Sequence, residues 1–102
     1  MRMKIKYDSN LCLRRHGTPD RSFMENLPKD LVMNRTYYFL KTGKREFFIE
    51  GKIPLRETDG NGNLSRPLAN VRIPEYTHFL KDGEVYTRGE YVILEILSPM
   101  QQ

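Results

Sequence analysis

Apolar and polar residues alternate with a period of two over much of this chain. Met3, Ile5 and Tyr7 alternate with Lys4, Lys6 and Asp8, the pattern of a strand with one covered face and one cationic face. Residues 8–21 follow as a loop rich in turn formers (Asn10, Gly17, Pro19, Asp20), with Leu11 and Leu13 tacking it to the core on either side of Cys12. Ser22-Phe23-Met24-Glu25 has capping-box spacing and Pro28 stops any long helix. One or two short helical turns are therefore expected near residues 22–33, with Phe23, Met24, Leu27, Leu31 and Val32 covering one end of the fold.

From residue 34 the pattern is β. Thr36 to Leu40 is β-branched and aromatic, Thr42-Gly43 breaks it, and Phe47-Phe48-Ile49 resumes it, which reads as a hairpin turning at residues 41–44. Pro54 marks Ile53 to Leu55 as an edge strand or a bend, because proline cannot donate to a ladder. Asp59-Gly60-Asn61-Gly62-Asn63 is a strong turn. Val71 and Ile73 form a short strand closed by Pro74, and Tyr76 to Leu80 fits a strand or a helical turn. Asp82-Gly83 predicts a two-residue hairpin. Arg88-Gly89 suggests a bulge, and residues 90–97 read as a central strand with apolar side chains on both faces.

Six to eight short strands with frequent turns predict a mainly β fold. In 102 residues this is a small single-domain barrel of SH3-like or OB-like architecture, because closure removes exposed edges. The whole chain, 1–102, is read as one domain: a basic N-terminal strand and loop over 1–21, and a β core over 34–97. A hydrophobic fraction of 38% with 29% charged residues fits a folded domain. No stretch approaches the length of a membrane span, and the N-terminus lacks the apolar run of a secretory signal. Cys12 is the only cysteine, so no intrachain disulfide is possible. A cytoplasmic location is expected, with no membrane partner.

Charge adds one asymmetry. The net charge is +4, and residues 1–21 carry six basic residues against two acids, while the rest of the chain balances. Arg14, Arg15, His16 and Arg21, with Lys4 and Lys6 alongside, form the candidate anion- or partner-binding cluster, since adjacent arginines grip phosphate or carboxylate in bidentate fashion. Tyr37, Tyr38 and Phe48 are candidate stacking aromatics for unpaired bases on an OB-like face.

Catalytic chemistry finds little support. Cys12 with His16 or His78 is a conceivable nucleophilic or zinc-binding set, but no paired Cys or His ligands accompany it, and Cys12 reads better as a small apolar residue in the core. Asp59, Asn61 and Asn63 begin like a calcium loop. Leu64 then stands where glycine is needed, and Asn70 where a bidentate glutamate is needed. Lys41-Thr42-Gly43-Lys44 lacks the upstream glycine of a phosphate loop. The sequence points to no cofactor, no metal and no enzyme. It favours a non-catalytic interaction module, an accessory or regulatory protein that binds another protein. The alternative is a small nucleic-acid-binding protein using the basic segment, and a Cys- or metal-dependent enzyme stands a distant third. Oligomeric state is left open.

Overall fold

The computed structural model describes residues 6–97. Among the described residues seven strands run in the order β1 (Lys6–Tyr7), β2 (Leu11–Arg14), β3 (Thr36–Thr42), β4 (Arg45–Glu46), β5 (Ile53–Thr58), β6 (Ala69–Lys81) and β7 (Glu84–Ile96). Five of them form one sheet, in the order β2-β5-β6-β7-β3, and β1 pairs with β4 in parallel as a small second ladder. The radius of gyration is 13.3 Å, close to the ~13 Å of a single domain of this length. The mainly β reading therefore holds, in one small domain, but the sheet does not close into a full barrel. Its two edge strands, β2 and β3, approach each other and are joined across the gap by the Lys41 ammonium, which donates to the Cys12 carbonyl.

One face of the sheet is covered throughout. Leu11, Leu13, Phe39, Leu55, Val71, Ile73, Tyr91 and Ile93 are buried on it, and they pack with Leu27 and Phe47 into one cluster. Phe39 stands edge-on to Phe47 at 5.3 Å, and Tyr37 stacks on Tyr91 at 5.5 Å. Strand β7 does lie between two strands, as expected for residues 90–97, with β3 paired as far as Val92 and β6 as far as Ile96. Its outward side chains Val92 and Leu94 are only half-buried, however, so one face alone is core.

Several local expectations change once the long-range pairings are seen. Residues 8–21 are not all loop. Leu11 to Arg14 form β2, which pairs in parallel with β5, so Leu11 and Leu13 turn inward and Cys12 turns outward, half-buried rather than core. Parallel pairing with a strand some forty residues away leaves no local signature. The Ser-x-x-Glu motif yields only one 3-10 turn, Phe23–Glu25. Ser22 makes no capping hydrogen bond, Glu25 pairs with Arg21 instead, and Phe23 is exposed rather than covering the core.

No hairpin joins residues 36–42 to 47–49. Strand β3 pairs with β7, and after Gly43 the chain leaves the sheet and crosses the inner face of the β6–β7 hairpin. Three side chains fix that crossing. The buried Thr87 hydroxyl accepts from the Arg45 N–H at 2.9 Å and donates to the Gly43 carbonyl at 2.8 Å. The His78 Nε2 donates to the Arg45 carbonyl at 2.7 Å, and the Tyr76 hydroxyl donates to Glu46. Thr87→Val, which keeps the shape and removes both bonds, is expected to destabilise the protein by about 1–3 kcal/mol in denaturant unfolding.

Strand β5 is interior, not an edge, because β2 covers it from Leu55 onward. Pro54 sits one residue before that register begins. Strand β6 runs on through Pro74, which lies in a register shift between Arg72 and Glu75 where the ladder is already interrupted. That shift replaces the bulge expected at Gly89, where pairing is continuous. The Asp82-Gly83 hairpin is present, both residues having positive φ (52° and 81°), which suits the twist of the flanking strands.

Candidate functional site

The gap between β2 and β3 is a cleft of about 580 Å³. Its walls come from β2 (Cys12, Arg14), from β3 (Leu40, Lys41, Thr42), and from Arg21, Arg45 and the loop after β5. Alternation along β2 explains which residues reach it: Leu11 and Leu13 point to the core, so Cys12 and Arg14 point away. Four cations line the cleft (Arg14, Arg21, Lys41, Arg45) against two carboxylates, Asp8 and Glu25. Arg45 is committed to Asp8 at 2.8 Å, both largely covered, and Arg21 sits 3.6 Å from Glu25. Arg14 is different. Among the described residues no carboxylate lies in ion-pair reach of it, and its guanidinium rests against Gly60 at the rim.

Three carbonyls of the edge backbone beside the cleft have donors. The Cys12 carbonyl accepts from Lys41, the Arg14 carbonyl from the Leu27 N–H at 2.7 Å, and the Thr42 carbonyl from Arg45 Nε at 2.9 Å. Cationic side chains and a loop thus occupy three of the acceptors through which a bare edge strand would add further strands. What the cleft presents is side-chain charge.

The cluster expected from the sequence is split by this geometry. Arg14 and Arg21 line the cleft. Arg15 points elsewhere, 80% exposed at its side chain with Nε 3.5 Å from Glu57. His16 donates Nδ1 to the Leu27 carbonyl at 3.1 Å and serves to hold the loop. Lys4 lies outside the described residues, and Lys6 is placed in β1. Lys41 and Arg45 were not foreseen as part of this site. The only signal for them was the basic run around Gly43, because nothing local reveals that β3 faces β2.

The three aromatics do not form one platform. Tyr37 is packed on Tyr91, and its hydroxyl donates to the Asp30 carbonyl at 2.9 Å. Tyr38 projects from the opposite face of β3 and is 57% exposed. Phe48 is half-exposed on the segment beyond β4.

Burial pushes the Cys12 thiol above its ordinary range, and the nearby Lys41 charge only partly offsets this. A raised thiol pKa is the reverse of what an attacking thiolate needs. Alkylation of Cys12 by iodoacetamide is accordingly expected to be slow at neutral pH and to keep accelerating past pH 9.0, the ordinary thiol value. A rate that levels off near neutrality would contradict this. Among the described residues, no three His, Cys, Asp or Glu side chains gather to hold a metal ion. The calcium-like start at Asp59 is used internally. Asn63 Nδ2 donates to Asp59 Oδ2 and the Asn61 N–H to Oδ1, both at 2.7 Å, and the first of these contributes most to holding the Asp59 carboxyl below its usual range. Among the described residues no helix is long and apolar enough to cross a membrane.

No family model matches the chain, and no curated protein matches it in sequence. Its likeness is to a solved structure: over 95% of each chain, at 13% sequence identity and a TM-score of 0.59, the fold is similar to that of protein ytmB from Bacillus subtilis in its crystal structure.

Proposed function

We propose that this protein is a small non-catalytic interaction module that holds a segment of a protein partner in the cleft between β2 and β3. The observation that carries this reading is the open seam itself: two sheet edges held apart around a cleft large enough for several side chains, with three edge carbonyls capped and, among the described residues, no acid in ion-pair reach of Arg14. Pockets of ~300–1,000 Å³ are the usual size for specific ligands. The elevated thiol and the structural use of His16 and His78 agree with a role in binding rather than in catalysis. A cytoplasmic setting, where Cys12 stays reduced, goes with the same proposal.

A nucleic-acid ligand has weaker support. Arg14 and Arg15 leave β2 in different directions, and Tyr37 is held within the fold.

Selection from a random-peptide library against the immobilised protein tests the proposal. The blocked variant is Thr42→Trp, which fills the cleft from an exposed wall position. Enriched peptides are expected to bind the wild-type protein and to fail on Thr42→Trp. No enrichment, or equal binding to the blocked variant, would refute the seam as the binding site.

A further inference from the structure

The geometry assigns a ligand class to this cleft: an acidic polypeptide segment whose carboxylates are received by Arg14, with Arg21 and Lys41 alongside. This rests on the seam being the binding site, and adds what the seam selects.

Three observations support it. First, the lining charges are unequal, four cations against two carboxylates, and one carboxylate is consumed by the covered Arg45–Asp8 pair. An incoming anion therefore meets the Arg14 charge in a partly enclosed site, where screening by water is reduced. Second, among the described residues no carboxylate neutralises Arg14. Its guanidinium lies against Gly60, where a side chain would collide with it: a Cβ there would stand 2.8 Å from Arg14 Cζ. Gly60 also has φ +83°, so the loop supplies a notch in a conformation that suits glycine. A planar guanidinium at the rim, with no hydrogen-bond partner among the described residues, has its donors available for bidentate capture of a carboxylate. Third, the Cys12, Arg14 and Thr42 carbonyls already have donors, which weakens backbone pairing as a source of affinity and leaves side-chain charge as what the cleft offers.

Arg21 contributes conditionally. Its contact with Glu25 is 3.6 Å, longer than a hydrogen bond, and Arg21 is the more exposed partner. Such a pair is weak and open to exchange for a better acceptor. Asp8 and Glu25 face the same cleft and would repel the ligand, so the acidic segment is expected to seat at the Arg14–Gly60 end, away from the Arg45–Asp8 pair.

Fluorescence polarisation with defined probes tests the assignment: a labelled peptide alternating Glu and Ser, the same peptide with Gln for Glu, the same with Lys for Glu, and a single-stranded oligothymidylate of matching length. The acidic peptide is expected to bind most tightly, and more weakly as salt rises. Arg14→Gln should weaken it roughly ten- to a hundred-fold, the loss of a charge-assisted contact. Arg15→Gln removes the same charge one residue away but outside the cleft, and should change binding by less than about threefold.

A second pair of variants keeps the charge and moves it. Gly60→Ala displaces the Arg14 guanidinium. Gly62→Ala places an equally disfavoured residue in the same loop, φ +94°, with nothing within 4 Å. Weakening by Gly60→Ala alone supports a positioned arginine. Equal effects of the two loop variants, or of Arg14→Gln and Arg15→Gln, would overturn the assignment. So would tighter binding of the oligothymidylate. If the Gln peptide binds as tightly as the Glu peptide and both fail on Thr42→Trp, the acidic assignment is wrong while the seam remains the site. If no peptide of any charge binds, the seam proposal fails as well.

Discussion

Gly89→Ala is expected to cost the protein about 2–3 kcal/mol, the upper part of the range for overpacking a filled interior. The reason lies in what surrounds this position. A Cβ at residue 89 would stand 2.8 Å from the Glu75 carbonyl oxygen, 2.8 Å from the Phe39 ring and 2.8 Å from Tyr76 Cβ. Side chains at the end of a flexible stem can move away, but a carbonyl fixed in a β ladder cannot shift without distorting its strand. Gly89 pairs directly with Phe39 on one side and with Tyr76 on the other, so both neighbouring strands feel the intrusion. For a domain of this size ~1 kcal/mol lowers Tm by roughly 4–8 °C, so a fall of about 10–20 °C is expected in a thermal melt. Combining Gly89→Ala with Phe39→Leu relieves only one of the three collisions. The double variant should therefore be no more stable than Gly89→Ala alone, and recovery of the melting temperature would show that the ring, not the backbone, sets the limit.

Phe39→Ala should be larger still, at about 3–5 kcal/mol. Phe39 is fully buried and joins the two halves of the core, edge-on to Phe47 from the crossing segment and tilted against Tyr91 of β7 at 6.3 Å. Removing the ring leaves a void bounded by two aromatic rings that cannot both collapse into it. Small domains hold only about 5–15 kcal/mol in total, so this change consumes a large share. Urea unfolding should show a lower midpoint with an unchanged slope. Tyr38→Ala, one residue away on the exposed face, should stay within about 0.5 kcal/mol, since little is buried there. If the two variants lost similar stability, the inward assignment of Phe39 would be wrong.

The contrast between these neighbours shows how much of the protein is legible in one dimension. Strand character at 36–40 and 90–97 follows from β-branched and aromatic residues, and the Asp82-Gly83 turn follows from its tolerance of positive φ. The breaks at Gly43 and at residues 59–63 follow from turn chemistry, and Arg14 and Arg21 stood out as basic residues in a loop-rich segment. The short helical turn expected after Ser22 is present at Phe23–Glu25, but without the side-chain cap that the Ser-x-x-Glu spacing suggested. Pro54 and Pro74 misled as edge and terminator. Each sits where the ladder does not require its missing donor.

What the sequence determined alone was the period-two patterning, the turns and the excess of positive charge near its start, because each is set by neighbours a few residues apart. What only the tertiary structure decided was partnership: that β2 exists at all, that β3 joins β7 rather than the segment after Gly43, and that Lys41 comes to face Cys12 across an open seam. Those outcomes depend on contacts between residues tens of positions apart. Their free energy comes from burying a shared core, and no local propensity encodes which two strands will meet around it.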